Sequence, residues 1–319
     1  MGFVTSDYHP SVNAGNDEAQ YPNWAKAHVP GNASTLCCMG GNGTPRRRAL
    51  GAALREAREA AGYTNLTAFA QLIEVAPATL SRWETGERTP KPTDVVRILT
   101  TLGVNGQQFE DILALASDTD APYWIAVSLP EQRLHLDALL RFERDASKIT
   151  DVSPLLVTGL LQTEAYIRAM MTAPVAGVPQ AEIENRIRVR LGRQRVVDTV
   201  ELVVILGEAA LHQQVGGPQV LADQLRHIVQ MAAHPNVTLR VVPFTAGWVP
   251  SLEGGWSVIE SAEASTVIHT ENRRSGQFLH EDQDVRLYRD AVDSLLDVAM
   301  SPTESLGLIA EKIRQLEMR

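Results

Sequence analysis

The chain has 319 residues, 44% hydrophobic, 21% charged and 5% aromatic, the composition of an ordinary globular protein of about two domains. No apolar run reaches the roughly 18–20 residues that a membrane-spanning helix needs, so a helical membrane protein is excluded. The net charge of −9 is uneven: residues 1–44 carry −2, residues 45–116 carry +1 and residues 117–319 carry −8.

Residues 1–44 are rich in Asn, Gly, Pro and His and follow neither a helical nor a strand period. They read as a disordered tail, or as sequence upstream of a start at Met39. The first thirty residues lack a basic start followed by an apolar stretch, so no secretory signal is expected. The cysteines, Cys37 and Cys38, are adjacent; this excludes a disulfide scaffold and a cysteine zinc cage and fits a reducing cytoplasm.

Residues 45–116 read as five short helices. Leu50, Leu54, Ala57 and Ala61 recur at three to four residues, and Gly62 ends their stripe. Asn65 is placed to cap a second helix with Leu66, Phe69, Ala70 and Ile73. A third spans about Ala76–Thr85 and ends at Gly86. Thr93 precedes a fourth with Val95, Val96, Ile98, Leu99 and Leu102, and a fifth carries Phe109, Ile112, Leu113 and Leu115.

Residues 117–319 begin with a helix from Pro130 to about Ile149, a loop and helix over 151–172, and an arginine-rich helix over 180–198. The hydrophobic period then shortens. Strands are expected at Glu201–Leu206, Val237–Val242, Trp256–Ile259 and Thr266–Thr270, with helices at 208–214, 217–233, 281–300 and 302–317 around them. The fold class is therefore α+β: an all-α five-helix region, then a mixed α/β region with a small sheet.

The informative stretch is Arg55–Leu102. Two short helices meet at a tight turn, and the second holds Ala76-Pro77-Ala78-Thr79-Leu80-Ser81-Arg82-Trp83-Glu84. In such a pair one helix braces on the DNA backbone while the next enters the major groove. Leu54-Arg55-Glu56-Ala57-Arg58, Gly62, Phe69-Ala70, Leu72, Thr79 to Gly86 and Pro90 resemble the xenobiotic-response-element (XRE) class of helix-turn-helix regulators. The resemblance implies that Pro77, Ala78, Ser81 and Arg82 form the DNA-facing side of the third helix. Arg82 is the best base reader, because its fork matches guanine O6 and N7. Leu80 and Trp83 fall on the core side. Arg58 and Glu84 match a pair that links the first helix to the end of the third and fixes their geometry. Arg46, Arg47, Arg48, Arg88 and Lys91 are candidate phosphate contacts. The chain departs from the class at Glu74, where a small residue is usual, at Ala76, where a polar cap is usual, and at Leu66, where a glutamine is common. One long polar reader and a missing phosphate donor imply weak binding by a monomer, which a dimer or DNA-shape readout would supplement.

Gly159-Leu160-Leu161-Gln162-Thr163-Glu164-Ala165-Tyr166, then Arg188, Arg190, Arg193 and Gln194, then Gly207-Glu208-Ala209-Ala210-Leu211 resemble the large antitoxin-like C-terminal regulatory domain of actinobacterial helix-turn-helix proteins. Gln224-Leu225 and Val241-Val242-Pro243-Phe244 continue the resemblance. Val157-Thr158 stand where Ile-Pro is more frequent. The resemblance implies a partner, a small acidic protein encoded nearby, and names no ligand. From the residues themselves, Gln162, Tyr166, Arg190, Arg193 and Glu208 are the candidate ligand or partner cluster, since an arginine face suits a carboxylate, a phosphate or an acidic protein. The competing reading pairs the arginines internally with Glu182, Glu184 and Glu208.

Gly-x-Ser-x-Gly, Walker, dinucleotide and His-Glu-x-x-His patterns are absent, and the eight histidines share no ligand spacing. The expectation is a cytoplasmic, dimeric, sequence-specific regulator that binds double-stranded DNA, without metal, cofactor or catalytic residues. It comprises a tail (1–44), a DNA-binding domain (45–116) and a domain that senses a partner or small ligand (117–319). The alternative is an antitoxin-like protein that mainly binds a small acidic partner.

Overall fold

Helix boundaries in the N-terminal half follow local chemistry. The computed structural model describes residues 43–319 except 122, 127–128, 173–179, 263, 273–274 and 319, so the tail reading lies almost wholly outside the described residues. Helix α1 (Pro45–Ala60) starts where the Thr44 hydroxyl accepts from the Arg47 amide, with Pro45 supplying a preset φ in the first turn. Helix α2 (Leu66–Leu72) is capped by Asn65, whose side-chain oxygen accepts from the Ala68 amide at 3.1 Å. Helices α3 (Pro77–Glu84), α4 (Pro92–Thr101) and α5 (Gly106–Leu115) complete the all-α region. Its core is Leu50, Leu54, Phe69, Leu80, Trp83, Ile98, Leu99 and Leu115, all buried.

After strand β1 (Tyr123–Ala126) come α6 (Leu129–Arg144), β2 (Lys148–Ser153), α7 (Glu164–Thr172), α8 (Gln180–Arg193), β3 (Glu201–Gly207), α9 (Pro218–Met231) and β4 (Val237–Val242). Strands β5 (Trp256–Glu260), β6 (Val267–Glu271) and β7 (Gly276–Leu279) precede α10 (Asp282–Val298) and α11 (Pro302–Glu317). The strands form one mixed sheet in the order β1-β7-β6-β5-β2-β3-β4, with β2, β3 and β4 parallel and the other neighbours antiparallel.

The sheet is larger than the four strands read from the sequence. β1, β2 and β7 were not foreseen, and the helix expected to run to Ile149 stops at Arg144, before β2. β2 lies at the centre of the sheet, yet its sequence Lys-Ile-Thr-Asp-Val-Ser alternates weakly and puts Asp151 inside. That carboxylate is stabilised by hydroxyls from Ser153 at 2.9 Å and from Ser257, on β5, at 3.1 Å. A burial of this kind depends on residues about a hundred positions away and leaves no local trace.

Helices cover both faces. Helix α10 lies on the face built by Val152, Ile205, Val258 and Ile268. On the other face a single hydrophobic cluster runs from Leu50, Leu54 and Phe69 through Trp124, Leu134, Phe142 and Phe278 to Val204, Leu239 and Ile309. Helices give way to strands close to residue 116, but the core does not break there: Gly40–Arg319 is one compact unit.

Candidate nucleic-acid interface

The turn between α2 and α3 is held by a hydrogen bond from the Val75 amide to the Ala70 carbonyl at 2.9 Å. Glu74 adopts a left-handed backbone there, with φ of 55°. This strain of about 1–2 kcal/mol explains why small residues suit the position. Ala76 leaves the start of α3 without a side-chain cap, and Pro77 in the first turn removes one amide that would need a partner.

Helix α3 buries Leu80 and Trp83 and leaves Pro77, Ala78 and Arg82 exposed, with Ser81 half-buried beside them. Two contacts fix its position. Gly51 on α1 lies so close to the last turn that a Cβ there would stand 2.5 Å from the Trp83 carbonyl oxygen. Arg58 on α1 donates to both carboxylate oxygens of Glu84, from Nε at 2.7 Å and from Nη2 at 2.8 Å. Arg58 is 3% exposed and Glu84 4%, so this fork-to-fork pair belongs to the interior. The hydrogen bond to Glu84 holds the Arg58 guanidinium above its usual pKa.

Of the cations considered for phosphate or base contact, Arg82, Arg88 and Lys91 are exposed, and no ion pair engages them among the described residues. Arg46 and Arg47 require a correction, because both are engaged within the fold. Arg46 donates to the Ala114 carbonyl at 2.8 Å and stands over the Trp124 ring at 5.6 Å, while Arg47 pairs with Asp120. Arg48 turns inward over Phe142, at 4.5 Å, and donates to the Ser265 carbonyl. Burial lowers its pKa to about 10. The three arginines tie α1 to α5, β1 and the sheet.

The second cluster is partly assembled. Arg190 donates to the Gln162 Oε1 at 3.2 Å, and Gln162 and Tyr166 are buried. Arg193 is bound by Glu143 of α6 through two bonds of 2.6 Å. Burial holds Glu143 above the usual carboxylate range, against the pull of Arg193. Glu208 stands apart from the arginines: it accepts from the Phe244 amide at 2.8 Å and faces His212. Arg168 takes Glu184, and the Glu182 side chain lies outside the described residues. The internal partner of Arg193 is therefore Glu143, a residue the sequence reading did not single out.

Glutamines explain the Gly159–Thr163 stretch. Gln162 donates to the Val157 carbonyl, and Gln194 donates to the Gly159 and Gln162 carbonyls. Gln224 donates to the Leu161 carbonyl and accepts from the Thr163 amide, both at 2.7 Å. The buried carbonyls of Val157, Leu161 and Gln162 would otherwise be unsatisfied, at about 1–3 kcal/mol each. The motif is thus a clamped loop.

A five-helix core with a tight turn before an outward-facing helix defines a helix-turn-helix domain, the fold of DNA-binding regulators. Residues 49–112 match the model of a helix-turn-helix domain. Residues 136–311, more than half of the chain, match the family described as a domain of unknown function, DUF5753, and the chain belongs to that family. No curated protein matches the chain. Among the described residues no helix is long and apolar enough to cross a membrane.

Proposed function

We propose that this chain is a cytoplasmic, sequence-specific transcriptional regulator of the XRE type that binds double-stranded DNA as a homodimer. Its sheet-containing region senses a protein partner or a small ligand and adjusts operator binding. No residue has a catalytic role in this reading. The observation that carries it is the outward face of α3, where Arg82 is exposed and in no ion pair among the described residues, beside Pro77, Ala78 and Ser81 on a helix locked by Arg58 and Glu84. Locking matters because a bidentate contact to guanine needs a backbone placed to a fraction of an ångström. One forked reader per chain offers little discrimination, so two copies on two half-sites give the reading its specificity. The continuous core and the Arg46 to Arg48 contacts support transmission from the sheet to α1, and through Gly51 and Arg58 to α3. The test is footprinting and titration on the DNA upstream of the chain's own gene. Protection of two half-sites about one helical turn apart is expected. Equal affinity for that DNA and for a scrambled duplex would overturn the reading.

A further inference from the structure

Besides the interior arginine cluster, the fold contains an open cleft of about 650 Å³, well within the roughly 300–1,000 Å³ range of small-molecule sites. It lies where β5 begins and β6 ends, against α10: Trp256 opens β5 and pairs with Val152 near the end of β2, Thr270 and Glu271 close β6, and the segment leaving β4 supplies Trp248 and Glu253 to the rim. Open α/β sheets place ligands at this edge.

The lining has two properties. Its aromatic side chains are Trp248, Trp256 and Tyr288, with the last two in an edge-to-face contact at 5.5 Å. Its charged side chains are Glu253, Glu271 and Asp290, and no described lining residue is a cation. Among the described residues none of these three carboxylates is in an ion pair, although Glu271 also lies in the field of Arg190 and Arg193. Burial, and then the charges of Asp284 and Glu253, hold the Tyr288 phenol above its ordinary pKa. Trp248 is 71% exposed, an arrangement that leaves a large ring face open at the mouth. Trp256 is buried at the start of β5 and contributes the edge of an apolar wall to the cleft.

We infer that this cleft binds an organic cation with a broad apolar body, held between the Trp248 and Trp256 rings and neutralised by Glu253 and Asp290. Ring faces and carboxylates attract the same charge, and a bulky cation loses little hydration on entry. The effect on DNA rests on the regulatory reading above; the binding itself does not.

Equilibrium dialysis of the full chain with tetraphenylphosphonium and with tetraphenylborate, ions of the same shape and opposite charge, tests the site without DNA. Saturable binding of the phosphonium alone is expected. Combining Glu253→Gln with Asp290→Asn should weaken it at least about tenfold, and Trp248→Ala should weaken it too. All three positions are exposed, so unchanged melting temperatures will certify the variants. Equal binding of the two ions, no saturable binding, or folded variants that bind as the parent does would each overturn the proposal. Phosphonium binding that leaves operator affinity unchanged would remove the sensor role and keep the site. Absent phosphonium binding with intact operator recognition would remove the site and keep the regulator.

Discussion

Arg141 on α6 holds both carboxylate oxygens of Glu56 on α1, from Nη2 at 2.6 Å and from Nε at 3.1 Å, and so bridges the helix-turn-helix region and the first helix of the sheet-containing region. The Glu56 side chain is half exposed, and pairs of this kind contribute about 0.2–1 kcal/mol. The apolar core beneath them is what joins the two regions. A double-mutant cycle of Glu56→Ala and Arg141→Ala should therefore give a coupling below about 1 kcal/mol. Calorimetry of the double variant should still show one unfolding transition for the unit, and two separated transitions would mean that the core is not shared.

Arg58→Ala should lower stability more than it weakens any direct DNA contact, because Arg58 acts on α3 only through Glu84. It leaves buried Glu84 with only the half-exposed Arg55, at 3.6 Å, as a charge partner, at a cost of up to about 3–5 kcal/mol. Urea denaturation should show the loss in full. A variant of undiminished stability with lost DNA binding would place Arg58 against DNA instead.

Arg82→Ala should cost about 1–3 kcal/mol on operator DNA, at one base position, and little on scrambled DNA. Lys91→Ala should weaken binding to both alike and lower the salt slope by about one. Titrating both duplexes at two salt concentrations separates the roles. An equal loss on both duplexes for Arg82→Ala would reduce it to a backbone contact.

Acid should destabilise the chain through two buried histidines. His135 stacks on Phe278 at 3.9 Å between ring centroids and lies 5.3 Å from His269, and both are buried. Burial lowers the His135 pKa to about 4 and, with the charges of His135 and Arg193, lowers that of His269 well below the ordinary value. The unfolded chain takes up these protons near pH 6.5 and the folded chain resists them. Stability is thus complete above about 6.5 and is lost as the pH falls towards 4, by about 3 kcal/mol from His135 alone. Melting temperatures from pH 7 to pH 5 should fall less steeply in His135→Phe. An equally steep profile would assign the effect to other groups.

Helices α1 to α5 were legible in the sequence because caps and a 3.6-residue stripe are local properties: Asn65 and Gly62 act within a few residues of themselves. β3 was legible as a continuous apolar run from Leu202 to Leu206, and β4 because Val237, Leu239 and Val241 alternate with Thr238 and Arg240. Tertiary structure alone decided the rest. β2 is a strand because β3 and β5 pair with it and the Ser257 hydroxyl stabilises Asp151. Arg46, Arg47 and Arg48 form a basic run that in sequence resembles a phosphate-binding surface. Their partners, Ala114, Asp120 and Ser265, come from distant segments, and no window of sequence could reveal them. The cleft between Trp248 and Tyr288 likewise exists only because the sheet brings the end of β4 beside α10. Local periodicity reports which face of an element is apolar; which polar groups stay free depends on contacts made across the whole chain.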